Sequence, residues 1–188
     1  MANKKTLALT DKQFLDIIDT MRVGFSGCRP NNRVAMALLI EANLGIRVSD
    51  VTKLRLKDII KDGNEYRLNI IEQKTGKDRR FTVPIELYSY IQQYCIDNDI
   101  KNGDIICDLS ERAIQKQLKI VCDYLGYEGI STHSFRKYFA TRIYINNDYN
   151  IVLVQQLLQH SSPAITQRYI GIGSKELERA IQGNLKLI

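Results

Sequence analysis

Apolar positions in this chain recur mostly at helical spacing, interrupted once by a stretch of strand-like alternation. Thr10 and Gln13 form a capping box, and Phe14, Ile17, Ile18 and Met21 then share one face of a helix expected over Asp11–Arg22. Gly24, Gly27 and Pro30 mark a loop. From Pro30 to Leu44 the apolar positions are nearly continuous (Val34, Ala35, Met36, Leu38, Leu39, Ile40), which predicts a helix at the centre of the core. Gly45 closes it as a C-cap, and a short helix follows from Val48, with Val51 and Leu54 turned inward. The period changes near Asp58. Ile59-Ile60 and Tyr66–Ile71 flank a Lys61-Asp62-Gly63-Asn64 turn, and Arg80–Val83 follows a second turn, Lys74-Thr75-Gly76-Lys77, before Pro84 ends the run. Helical spacing then returns over Ile85–Asn98, Ser110–Leu125, Ser134–Asn146, Asn150–Gln159, Pro163–Tyr169 and Ser174–Gln182. The pattern predicts one domain over residues 1–188, mainly α with a small three-stranded antiparallel β-sheet (an α+β fold).

Composition narrows this picture. Of the 188 residues, 44% are hydrophobic, enough to build a core and too many for a disordered chain. No apolar run approaches the ~20 residues of a membrane span, and the polar start Met1–Lys5 has no signal-peptide apolar region behind it. A cytoplasmic protein is expected. Cys28, Cys95, Cys107 and Cys122 form no Cys-x-x-Cys pair and have no histidine at metal-ligand spacing, so neither a metal site nor a disulfide framework is expected. The net charge is +6, and its distribution is uneven: Arg47–Arg80 holds ten basic and six acidic residues. That surplus suits phosphate binding, and equally a solvated mixed-charge face.

Four short clusters carry residue types suited to phosphoryl transfer, which needs a nucleophile, cations around the phosphate oxygens and an acid for the leaving oxygen. In Gly45-Ile46-Arg47-Val48-Ser49-Asp50, an arginine stands between a helix-ending glycine and the next helix, with Asp50 placed to orient its guanidinium. In Glu72-Gln73-Lys74-Thr75-Gly76-Lys77, a hairpin tip presents a lysine that can protonate a leaving oxygen. In Thr132–Ala140, His133 and Arg136 lie three apart near a helix N-terminus, where anions are favoured. In Leu157-Leu158-Gln159-His160-Ser161-Ser162-Pro163, the second of the chain's two histidines precedes Tyr169 by nine residues across a proline-marked turn. Each cluster alone is as well explained by a surface arginine, an ordinary Lys/Gly turn or a capping histidine.

Taken together and in this order, the clusters resemble the tyrosine recombinase (phage integrase) family, over nearly the whole chain as far as about Gly173. That family carries a Gly-x-Arg-x-Ser-Glu/Asp box, a hairpin lysine, a His-x-x-Arg box, a Leu-Leu-x-His box and a tyrosine about nine residues later. Arg47, Lys74, His133, Arg136, His160 and Tyr169 stand at the matching positions, with Asp50 in support and Lys77 as the alternative hairpin lysine. Gln159 departs from the pattern, because most members have glycine before the second histidine. Members also carry an N-terminal core-binding domain, whereas about ten residues precede the first helix here.

The resemblance implies that Tyr169 attacks a DNA phosphate to give a 3′-phosphotyrosyl link. Arg47, Arg136 and His160 would stabilise the non-bridging oxygens, Lys74 would protonate the 5′-oxygen, and His133 would assist deprotonation of Tyr169. No cofactor or metal is implied. The implied partner is double-stranded DNA, with a tetramer on synapsed DNA, a monomer alone, and Ser174–Ile188 available to contact a neighbour. Three other readings stay open: a non-catalytic DNA-binding regulator on the same fold, a type IB topoisomerase-like relaxation activity, and a general basic helical domain.

Overall fold

The computed structural model describes residues 8–171. Helix α1 (Asp11–Val23) starts with the expected capping box: the Thr10 hydroxyl accepts from Gln13 N, and the Gln13 side chain accepts from Thr10 N. Its inward face is Ile17, Ile18 and Met21. Helix α2 (Asn32–Leu44) begins after Pro30 rather than on it, because the Asn31 side chain accepts from Val34 N and sets the cap there. Nine of its thirteen residues are buried, which makes it the central helix, with α1 and α6 packed against it. The short α3 (Val48–Val51) follows the Gly45 corner.

Strands β1 (Ile59–Asp62), β2 (Glu65–Ile71) and β3 (Asp78–Val83) form the expected antiparallel meander, in order β1-β2-β3. Strand β3 begins two residues earlier than the hydropathy pattern predicts, since Asp78 pairs with Ile71 and Arg79 with Ile70. The reason is Arg79, a charged residue that faces inward and is buried. Ile59, Leu68 and Val83 join it on the covered face.

The remaining helices are α4 (Ile85–Asp97), α5 (Glu111–Leu125), α6 (Thr132–Asn146), α7 (Ile151–Leu158) and α8 (Pro163–Ile170). Helix α6 starts before Ser134, because Ser131 is the N-cap and its backbone N–H donates to Ser134 Oγ. This puts His133 in the first turn. The helix expected over Ser174–Gln182 lies outside the described residues.

Two apolar clusters hold the domain. The larger joins α1, α2, α4, α5 and the sheet to Phe135 and Tyr138 of α6. The smaller, built on Ala140, Val154, Leu158 and Ile170, fastens α7 and α8 to the second half of α6. Among the described residues no helix is long and apolar enough to cross a membrane.

Candidate active site

The site is built outward from the end of α2. Gly45 adopts a left-handed conformation (φ +58°), and a Cβ on it would overlap the Phe139 ring. The corner leaves Arg47 extended at the N-cap of α3. Arg47 Nη1 donates to Oε2 of Glu72, a carboxylate buried at the base of the β2–β3 hairpin. Glu72 also accepts from Thr75 Oγ1 (2.8 Å) and from Arg79 Nη1 (3.2 Å). Arg79, only 1% exposed, reaches on to the Gly45 carbonyl (3.4 Å), and Arg136 Nη1 donates to that same oxygen. Arg136 Nη2 lies 3.3 Å from the Leu158 carbonyl. An unbroken path therefore runs Arg47–Glu72–Arg79–Gly45 carbonyl–Arg136–Leu158 carbonyl.

Asp50 does not hold Arg47. Its Oδ1 instead accepts from Gln73 N (2.8 Å), so it anchors the hairpin to α3, and Glu72 orients the guanidinium. Three residues of helix turn Asp50 away from the Arg47 head and toward the strand ends, a direction that spacing alone does not reveal. Lys53 Nζ adds a contact to Gln73 Oε1 at 2.5 Å. Both Lys74 and Lys77 are exposed at the tip. Lys74 is the one whose charge reaches His133.

His133 sits at the rim, in the first turn of α6, with Arg136 one turn behind it and buried. Partial desolvation, followed by the charges of Arg136, Lys74, Arg47 and Lys137, lowers the His133 pKa below its ordinary value. His160 is lowered for the same reasons: burial first, then Arg136, Arg47 and Arg79. Both imidazoles are therefore biased toward the neutral form. Burial pushes Arg79 down to about 10, with the Arg136 charge adding to it. Glu41, also buried near Arg136, is raised well above a normal carboxyl by desolvation, against the pull of the Arg136 charge. The site is a cationic cluster suited to an anion.

Helices α7 and α8 complete it. Leu158 ends α7 and Gln159 takes the left-handed C-cap conformation (φ 56°). The Gln159 side chain donates to the Asp78 carbonyl at 2.7 Å, tying this corner to the foot of the hairpin. His160 follows, its backbone N–H held by the Gln155 carbonyl (3.0 Å) and its Nδ1 lying 3.0 Å from Thr166 Oγ1. Ser162 caps α8, with Pro163 in its first turn, and α8 brings Tyr169 back onto His160. The two rings meet edge to face with centroids 5.2 Å apart. Lys137 Nζ lies 5.4 Å from the Tyr169 ring centroid. The Tyr169 hydroxyl is buried and, among the described residues, makes no well-formed hydrogen bond. Burial pushes its pKa up to about 12, against the pull of the Arg136 and Arg47 charges.

The phage integrase family pattern matches residues 8–175. The chain belongs to that family. Among its relatives is the probable integrase/recombinase YoeC of Bacillus subtilis, 31% identical over 150 residues, which span 76% of this chain and 79% of YoeC. Another is tyrosine recombinase XerA of Pyrococcus furiosus, 25% identical over 193 residues, or 95% of this chain and 62% of XerA. Across such relatives the chain spans from about half to four-fifths of their length. The catalytic domain of bacteriophage HP1 integrase has the same fold, with a TM-score of 0.66 at 19% identity and 95% of each chain covered. So does XerH recombinase bound to difH substrate, at TM-score 0.68 and 20% identity, covering 96% of this chain and 55% of that one.

For this integrase-family chain, sequence reasoning missed three members of the site: Glu72, Arg79 and Thr166. Glu72 and Arg79 flank a hairpin whose visible signal is its lysine, and a buried ion pair leaves no periodicity in hydropathy. The one available signal was Arg79 itself, alternating in phase with the inward residues Phe81 and Val83 of β3. Thr166 carried none, as an ordinary threonine on a short helix.

Proposed function

We propose that this domain cuts and rejoins DNA as a site-specific tyrosine recombinase, with Tyr169 as nucleophile. The observation that carries the proposal is the meeting, in one cationic cluster, of Arg47, Arg136, His160 and the buried hydroxyl of Tyr169. In this reading the Tyr169 oxygen attacks the scissile phosphorus as its proton leaves, assisted by His133. The phosphorus–O5′ bond breaks, Lys74 protonates the departing 5′-oxygen, and a 3′-phosphotyrosyl ester remains. Arg47 and Arg136 neutralise the non-bridging oxygens, and His160 donates to one of them. A 5′-hydroxyl from a second strand then reverses the step, so the ester keeps the bond energy. Recombination of this kind joins two duplexes, so a tetramer on synapsed DNA and a monomer off it fit the chemistry, with residues 174–188 contacting a neighbour. DNA of a chromosome or mobile element as substrate fits work in the cytoplasm. The names of the relatives and the DNA-bound solved structures support the substrate class.

The test is a nicked suicide duplex. An SDS-resistant protein–DNA adduct is expected with the native chain and none with Tyr169→Phe. No adduct even at high protein concentration would favour a DNA-binding regulator, which needs no nucleophile. An adduct that survives Tyr169→Phe would move the nucleophile elsewhere. Plasmid substrates then separate relaxation, the topoisomerase-like outcome, from exchange between two sites.

A further inference from the structure

His160 carries an unassigned companion. Thr166 is fully buried on α8, and its Oγ1 lies 3.0 Å from His160 Nδ1 and 3.5 Å from the Ser162 carbonyl. A threonine hydroxyl has one proton to give. The Ser162 carbonyl already faces the Thr166 N–H, at 3.4 Å, and an O–H···O contact of 3.5 Å lies beyond the ordinary range of roughly 2.5–3.0 Å. The contact to Nδ1 is the better bond. We propose that Thr166 is a positioning residue: its hydroxyl donates to His160 Nδ1, holds the imidazole in place and keeps the neutral ring's one proton on Nε2.

The consequence is chemical. A neutral imidazole is a donor at one nitrogen and an acceptor at the other, and the bond made by the first nitrogen decides which is which. Burial of His160, and then its crowding by Arg136, Arg47 and Arg79, favours the neutral ring, so the choice of tautomer matters. With Thr166 donating to Nδ1, Nε2–H is left to donate to a phosphate oxygen. With the opposite arrangement Nε2 would present a lone pair, and His160 would be a base toward Tyr169, whose ring it touches. Thr166 thus separates two roles that the ring geometry alone permits.

That His160 meets a phosphate rests on the recombinase reading; the tautomer itself does not. The experiment is two-bond ¹⁵N–¹H correlation NMR on the full chain, free and with inorganic phosphate. The chain has only two histidines, so four ring nitrogens are observed, and His133→Asn assigns them. The expected result is a proton on Nε2 of His160 and an Nδ1 resonance displaced from that of an unbonded nitrogen. In Thr166→Val the Nδ1 resonance should return to the unbonded position. Single-turnover cleavage of the suicide duplex should then fall about tenfold with DNA affinity unchanged, a fraction of the 10²–10³ lost when a transition-state donor is removed outright. Thr166→Ser should restore both signals. A proton on Nδ1 in the native chain, an Nδ1 resonance unmoved by Thr166→Val, or a valine variant that cleaves at the native rate overturns the proposal. A native chain that makes no adduct sinks the recombinase reading instead and leaves the NMR result standing.

Discussion

Replacing Glu72 with glutamine removes one charge and leaves the shape of the site unchanged. Glu72 has no exposed side-chain surface, and its partners Arg79 and Arg47 are 2% and 19% exposed in their side chains. Neutralising it leaves two guanidinia sharing a desolvated space without their counter-ion. Removing one partner of a buried pair costs about 3–5 kcal/mol. The substituted amide can still accept from Thr75, and Arg47 retains some contact with water, so we expect the lower end, about 3 kcal/mol. For a domain of this size that is a fall in Tm of roughly 6–12 °C. Cleavage should drop on the order of 10²-fold, because Arg47 loses the group that aims it. Adding Arg79→Met should recover part of the stability, since it withdraws one stranded charge, and should not recover cleavage. The pH dependence follows the same carboxylate. Burial opposes its ionisation, but the Thr75 and Arg47 hydrogen bonds with the Arg47 and Arg79 charges outweigh it and hold Glu72 below its ordinary 4.5. The native chain's advantage over the variant is then fully present above that value and disappears as pH falls through the lowered one. Urea melts of both proteins from neutral to acidic pH measure this directly. A loss under about 1 kcal/mol at neutral pH, or a gap that persists after Glu72 is protonated, would refute the idea that this carboxylate organises the arginines.

Two further expectations concern other parts of the site. Gln159 trades a strained backbone for the bond to Asp78. Gln159→Ala keeps the positive φ and loses the bond, so it should destabilise by about 1 kcal/mol, whereas Gln159→Gly relieves the strain and should fall within a few tenths of native; urea melts giving the opposite order would show that the side chain is not a strap. Burial and the neighbouring cations lower both histidines from their ordinary 6.5, so the second-order rate of cleavage should stay flat from about pH 8 to near that value and decline beneath it. A pH–rate profile with its acid limb centred at or above 6.5 would contradict the burial and cationic crowding of His133 and His160.

Much of this architecture was legible from periodicity. Phe14, Ile17, Ile18 and Met21 announced α1, and the dense apolar run of α2 announced its central place. The turn glycines bounded the meander. The six candidate positions stood out in the sequence because each sits in a local context that spacing and turn chemistry define. What stayed hidden were interactions that cross the chain. Asp50 was expected to orient Arg47 and Glu72 does so instead, because which carboxylate reaches Arg47 depends on how the hairpin docks on α3. Arg79 lay just outside the predicted strand, and only the tertiary fold shows it entering the core beside Gly45. Cap residues were misplaced by a turn or less wherever two hydroxyl or amide side chains competed, as with Ser131 and Ser134.

The division of the apolar packing into two clusters has a consequence for control. Both arginines, Glu72 and the hairpin are anchored through the larger cluster, while His160 and Tyr169 ride on the smaller one. The Arg136–Leu158 and Gln159–Asp78 hydrogen bonds bridge them. A unit resting on so few buried side chains opens at lower free energy than the whole domain. Local opening of this unit would carry the tyrosine and its histidine together and leave the packing around the arginines in place. In the recombinase reading, whatever packs against α7 and α8 would therefore bear on the tyrosine and its histidine before it bears on the arginines.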